Sequence, residues 1–438
     1  MTKDKIYDVA ELAENEWKGF ALYTVEARAI PNMIDGFKPV QRFYLYSSIL
    51  NSKKEYEKVS AVSGVVSKYG YNHGENSCAG AGQLMAADWY NNVRIIESQG
   101  SFGSRLIQEA GAPRYTFTRL HENFYKYYKD FELAPAHSDP EHLPPSYYIP
   151  IIPMVLVNGT KGIATGFANN ILPRDEKDIA KACSEYIKNG KINTTPKVKF
   201  PQFKGTVELR EDGKYYITGI FERKNKTELI ISEVPYGYDR EKFVNILNKL
   251  EDDDKIVSYA DKCDASGFRF EVKLKQATAN WNDDQIIKEF KLQVTETENL
   301  TVIDQNGKLR VYKDVKDIIR DFCDYRKTIL QSRIDNNVSE ISEEMRYKKV
   351  KMYFIMAVID NKIQFKNKTK DLVAKQMMDS VKGIRETDID SLLRTNIMSL
   401  TDEMVRELAD EIVKHKGQLD FWKSTTIEDQ FIDDLKGL

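Results

Sequence analysis

Tyr115 directly follows Arg114, and Arg119 lies four residues further on, within the run from Ala112 to Leu120. A phenol beside a guanidinium is the pairing needed for a nucleophile that forms a phosphotyrosine. A tyrosine hydroxyl titrates near 10 and is a poor nucleophile at neutral pH. Fixed positive charge makes it usable by stabilising both the phenolate and the extra charge on a phosphorus under attack. Arginine suits that task because it stays charged and grips phosphate oxygens with a planar fork.

Other segments must position such a pair. From Tyr7 to Glu26 the apolar residues Ala10, Leu12, Ala13, Trp17, Phe20 and Ala21 fall on one side of a helix, an arm suited to reaching a partner. Between Arg28 and Pro150, short helical stretches such as Gln41 to Leu50 and Glu75 to Asn91 alternate with glycine-containing turns, as in a compact helix-turn-helix domain. The small residues from Gly74 to Ala87 would let that second helix approach another backbone closely. Strand patterns at Thr206 to Leu209, Tyr215 to Thr218, Glu228 to Ser232 and Phe268 to Val272, with a helix near Arg240 to Leu250, indicate an α/β region. It carries no nucleotide-binding fingerprint.

From Val315 the apolar residues repeat every seven, through Ile318, Phe322, Tyr325 and Ile329 and, after a slip, on to Met345, predicting one long helix. A second run from Val405 to Trp422, with Thr401 as N-cap, would return antiparallel to it. Between the two, Met352 to Ile359 reads as an apolar tip exposed for dimerisation, the alternative being a compact helical domain that buries the run internally.

Four motifs stand in order along the chain. They are Arg28 to Arg42 (R-A-I-P-N-M-I-D-G-F-K-P-V-Q-R), His73-Gly74-Glu75, Gln99 to Arg105 leading into the tyrosine, and Ile149 to Gly166. Together they resemble the DNA breakage and rejoining subunit of type IIA topoisomerases, most densely over about residues 20 to 180. The resemblance implies a multidomain mixed α/β fold. Its parts would be an N-terminal arm (1–27), a winged-helix DNA-cleavage domain (28–158), an α/β tower domain (159–312), and a long antiparallel coiled coil ending in a dimerisation gate (313–438, tip about 352–400). It implies Tyr115 as nucleophile and Arg114 as the clamp on the scissile phosphate. Arg28, Lys38, Arg42 and His73 would line the DNA backbone, and Ile163 would be a wedge between base steps. Bacterial members carry His-Pro-His-Gly where this chain has Tyr71-Asn72-His73-Gly74, so a single imidazole remains there.

The family's Toprim strings, E-G-D-S-A and D-x-D-x-D, do not occur, nor does a P-loop. Mg2+ and ATP are therefore expected on separate Toprim and ATPase subunits, with double-stranded DNA and a second copy of this chain as the other partners. With no blade-like repeat after the return helix, relaxation, decatenation and unknotting are expected rather than DNA wrapping. A non-catalytic dimeric DNA-binding protein on the same scaffold, with Tyr115 merely packed, is the competing reading.

Composition narrows the class. No stretch approaches eighteen uninterrupted apolar residues and 30% of the 438 residues are charged, so a soluble cytoplasmic protein without membrane contact is expected. Cys78, Cys183, Cys263 and Cys323 are too scattered for a zinc knuckle or a disulfide framework. The net charge of −2 excludes a uniformly basic DNA-coating surface. The arginines and lysines of the first third, against Glu251 to Asp254 beyond it, predict that DNA contact is local.

Overall fold

The computed structural model describes residues 17–438. The chain folds as mixed α and β structure in two compact units, Lys327–Asp433 and the remainder. The division falls within the long helix Val315–Ile359 rather than at its start. The part of the N-terminal arm before Trp17 lies outside the described residues. Its described end is the helix Lys18–Thr24, which widens into a π-helical turn, Val25–Ala29, closed by Ile30 N–H on the Val25 carbonyl.

In the first unit, helices Pro39–Asn51, Val59–Gly64 and Glu75–Ala86 pack on a three-stranded antiparallel sheet. Its central strand is Phe117–Leu120, flanked by Glu57–Lys58 and Ile96–Gln99. Pro39 occupies the first helical turn, where its missing N–H is harmless, and Gln41 Oε1 accepts the Lys38 N–H at 2.9 Å. The small-residue helix uses its glycine for close packing: a Cβ at Gly82 would strike the Tyr44 ring. The Tyr44 hydroxyl is in turn 2.6 Å from Thr118 Oγ1 on the central strand.

This helix ends at Ala86, short of the Asn91 end predicted from sequence. Asn91 Nδ2 folds back onto the Leu84 and Ala87 carbonyls at 2.7 and 2.9 Å, so those acceptors are taken by a side chain instead of a continuing helix.

Further along, the hairpin Thr160–Ile163/Ala168–Ile171 leads to helix Glu176–Asn189, capped by the Asp175 side chain. A four-stranded antiparallel sheet follows, in the order Ile256–Asp261, Phe270–Leu274, Glu228–Glu233, Ile220–Arg223. Its alternating inward residues Leu229, Ile231, Phe270 and Val272 bury against Phe243 and Leu247 of helix Arg240–Asp252. A three-stranded sheet, Gln293–Thr297, Lys214–Thr218, Thr206–Leu209, abuts the hairpin: Arg174 is buried and forks onto Glu298 at 2.8 and 2.7 Å.

The second unit is helical. Thr401 caps helix Asp402–Ser424 through its hydroxyl, which accepts the Met404 N–H at 3.2 Å. The run Met352 to Ile359 departs from expectation. Phe354, Ile355 and Ala357 are buried with Ile363, Val373, Met377 and Leu392 in a small core of their own, because helices Lys370–Ser380 and Glu386–Leu393 fold over them. Met356 and Ile359 of the run stay exposed, as do Met398, Val413 and Phe421 elsewhere in this unit.

Candidate nucleophile and nucleic-acid interface

The sequence Pro113-Arg114-Tyr115 forms a turn feeding the central strand Phe117–Leu120, and the turn is held from several sides. Val59 N–H donates to the Thr116 carbonyl at 2.9 Å and Ser60 N–H to the Pro113 carbonyl at 3.1 Å. Gly111 N–H donates to the Ser101 carbonyl at 2.9 Å. Gln83 Nε2, from the small-residue helix, reaches both the Gly111 carbonyl (2.7 Å) and Thr116 Oγ1 (3.0 Å). Above this buried network the Tyr115 side chain is 67% exposed. Its hydroxyl has no hydrogen-bond partner among the described residues, and the Arg114 guanidinium carbon lies 4.8 Å from the ring centroid, over its face. Arg119 is turned elsewhere. Its Nε donates to Glu97 at 2.6 Å and its guanidinium covers Tyr56, so it braces the sheet.

A second cluster joins residues far apart in sequence. Arg28 Nη2 lies 3.3 Å from His73 Nδ1, and the Tyr23 hydroxyl lies 2.7 Å from His73 Nε2. Arginine can only donate, so Nδ1 is the acceptor and Nε2 carries the ring proton toward Tyr23. Burial, and then the Arg28 charge, hold the His73 pKa below its ordinary value, which keeps the ring neutral. Tyr71, at the position of the first bacterial histidine, stands edge-on to His73 with ring centroids 5.4 Å apart.

Lys38 and Arg42 diverge. Lys38 is half-buried, which lowers its pKa, and its Nζ donates to the Lys161 carbonyl at 2.8 Å. Arg42, expected against the DNA backbone, is only 6% exposed. Its Nε and Nη2 fork onto Asp35 at 2.7 and 3.0 Å, and Nη2 also donates to the Phe37 carbonyl at 2.7 Å. Arg42 is thus spent on shaping the Asp35-Gly36-Phe37 turn that presents Lys38. The physical reason is local: the turn's own carboxylate would otherwise be buried without a charge partner.

Ile163 ends the first strand of the hairpin and is 81% exposed. It is not a core residue. Its neighbours do the anchoring: Ala164 packs on Val25, Ala29 and Ile30, and a Cβ at Gly162 would collide with the Ala29 carbonyl and lie 2.6 Å from Asn169 Oδ1. The hairpin is therefore pressed onto the same π-helical turn that carries Arg28. The structure brings together Arg28 with His73, and Lys38 with the hairpin. It shows no direct contact between either group and Tyr115.

Three contributors were not singled out from sequence. Asp35 was hidden inside a glycine turn, and Gln83 was a lone amide in a run of small residues, a weak but readable signal. Lys161 alternates with Ile163 along a strand, which period-two patterning exposes.

The family model for the A chain of DNA gyrase/topoisomerase IV matches residues 28–436. The chain belongs to that family of type II DNA topoisomerases. It is 41% identical to the DNA topoisomerase medium subunit of Enterobacteria phage T4, with 98% of each chain covered. It is 30% identical to human DNA topoisomerase 2-alpha over 82% of this chain, which spans only 25% of that protein. It superposes with a TM-score of 0.89 and 28% identity on the DNA-binding, cleavage and re-ligation domain of Plasmodium falciparum topoisomerase II, covering 98% of this chain and 63% of that one. The chain thus matches nearly the full length of the phage relative but only a quarter of the human one. Its mixed α/β fold is that of a topoisomerase II cleavage domain.

Type II topoisomerases use Mg2+ and ATP. Among the described residues no three His, Cys, Asp or Glu side chains converge in a way that could hold a metal ion. Among the described residues, no helix is long and apolar enough to cross a membrane.

Proposed function

We propose that this chain is the DNA-cleaving and rejoining subunit of an ATP-dependent type II topoisomerase. In this reading residues 28–158 form a winged-helix cleavage domain, 159–312 a tower domain, and 313–438 a coiled coil with a dimerisation gate. The observation that carries it is an exposed phenol, Tyr115, on a backbone pinned by buried hydrogen bonds beside an exposed arginine.

The Tyr115 oxygen attacks a backbone phosphorus, the bond from phosphorus to the 3′ oxygen breaks, and a 5′-phosphotyrosyl linkage forms. The phenolic proton is lost to solvent and the departing 3′ oxygen gains one. One phosphodiester replaces another, so resealing is the same step reversed and needs no external energy. Arg114, already against the ring, swings its fork onto the scissile phosphate and stabilises the charge that grows there. Arg28, Lys38 and neutral His73 hold the DNA backbone, Arg42 shapes the turn that presents Lys38, and Ile163 kinks the duplex by entering a base step. Two copies cutting opposite strands open a gate through which a second duplex passes, which relaxes, decatenates or unknots DNA. Mg2+ and ATP are supplied by Toprim and ATPase partner chains working with this one in the host cytoplasm.

The test is to combine the chain with those partners, Mg2+ and plasmid, quench with detergent, and assay protein covalently bound to DNA 5′ ends. Linkage in the wild type and none in Tyr115→Phe is expected. DNA bound without linkage in the wild type would turn the reading to a non-catalytic DNA-binding dimer.

A further inference from the structure

Lys161 and Ile163 lie two residues apart on one strand and face outward together, while Thr160 and Gly162 between and before them are half-buried. At about 3.3 Å per residue, their backbone positions are separated by close to the rise of two base steps, each about 3.4 Å. A lysine at that distance from a wedge has the reach to meet a phosphate flanking the kinked step.

In the free protein that ammonium is lightly held. Lys161 Nζ is 3.4 Å from Glu296 Oε1, and the lysine side chain is 62% exposed. An exposed ion pair of this kind is weak and easily exchanged. Glu296 has its own anchor, because Asn170 Nδ2 donates to its Oε2 at 2.9 Å, so the carboxylate keeps its place if the lysine leaves. The Lys161 backbone is fixed separately, by Lys38 Nζ on its carbonyl and by strand pairing with Asn170. Only the side chain is free to change partners.

We infer that Lys161 is a DNA-contacting residue that exchanges Glu296 for a backbone phosphate when Ile163 enters the base stack. The inference rests on the proposed wedge role of Ile163. It makes Glu296 a competitor for the same ammonium, so the carboxylate sets how readily the hairpin engages DNA.

The test measures binding of the assembled holoenzyme to a short duplex by fluorescence anisotropy from about 50 to 200 mM salt, with bending followed by energy transfer between the duplex ends. Each neutralised phosphate contributes about 0.9 to the slope of log affinity against log salt. Lys161→Met is expected to lower that slope by about this amount and Lys161→Arg to retain it. Glu296→Gln, which keeps an acceptor for Asn170, is expected to leave the slope unchanged and tighten low-salt binding about two- to fivefold. Ile163→Ala is expected to abolish bending. A wild-type slope in folded Lys161→Met overturns the contact whatever Ile163→Ala does. Unchanged bending in Ile163→Ala overturns the wedge role instead, leaving the Lys161 slope to stand or fall by itself.

Discussion

The tyrosine turn and the Ile163 hairpin both lift one exposed side chain above a rigid base, but the bases are built differently. Beneath Tyr115 the restraint is polar: Gln83, Val59, Ser60 and Gly111 hold the backbone through directed hydrogen bonds. Beneath Ile163 it is steric, with Gly162 pressed against the Ala29 carbonyl and Ala164 packed into a small apolar cluster. The difference suits the two tasks. A nucleophile must meet phosphorus along one direction, and hydrogen bonds fix direction. A wedge needs only a firm support in the right place, which close packing provides.

Removing charge beside the nucleophile should give the largest effect. Arg114→Ala is expected to slow covalent-complex formation by about 10²- to 10³-fold, measured in single-turnover quench assays, while bending and thermal stability stay at wild-type values because the side chain is exposed. Gly162→Ala acts on the other base. Its Cβ has no room between Ala29 and Asn169, so stability should fall by about 1–3 kcal/mol, read from denaturant unfolding, and bending should fail with it. A duplex nicked at the bending step would restore cleavage to Gly162→Ala but not to Arg114→Ala. If it rescued both, the two regions would not be the separate devices their construction indicates.

Much of this was readable before the fold was known, and the exceptions share a cause. Strand alternation located Glu228–Glu233, helical periodicity located Arg240–Asp252, and Thr401 marked a helix start, all local signals acting within a few residues. Arg42 was not readable, because a cation between two other cations does not announce that Asp35 seven positions earlier will take it into the interior. The burial of Phe354 and Ile355 stood only as the second alternative, because it depends on helices that arrive later in the chain. Asn91 ended a helix by bonding backward, a choice its side chain makes only once the turn after Ala86 has formed. In each case a specific side-chain partnership, within seven residues for Arg42 and Asn91 and with later helices for Phe354 and Ile355, overrides the pattern of residue types.

Weakening the polar base more gently tests whether direction matters as argued. Gln83→Ala leaves the Gly111 carbonyl and Thr116 hydroxyl without their donor, and should lower stability by about 1–2 kcal/mol in denaturant melts. Cleavage should drop further than stability alone explains, since a tyrosine that drifts by about 1 Å loses its line of attack.

The smallest effect should come from His73, where neither backbone bonds nor close packing set the geometry and side chains simply hold one another. Burial and Arg28 keep its folded pKa below the unfolded value of about 6.5, so protons favour the unfolded chain as pH falls through that value. The stabilising contribution is complete above about 6.5 and is lost as pH drops toward the folded pKa, when Nδ1 becomes a donor facing the Arg28 guanidinium. His121 and His142 are also held low by burial, so the wild type should lose stability on acidification for several reasons. The informative quantity is the difference in Tm between wild type and His73→Gln, which should shrink between pH 7.5 and 5.5. A difference that stays constant would mean that the imidazole meets Arg28 without serving as its acceptor. The Arg28 fork would then be held by the Tyr23 ring alone, 5.9 Å from its centroid, and would be freer to turn toward a phosphate than either of the two rigid bases allows.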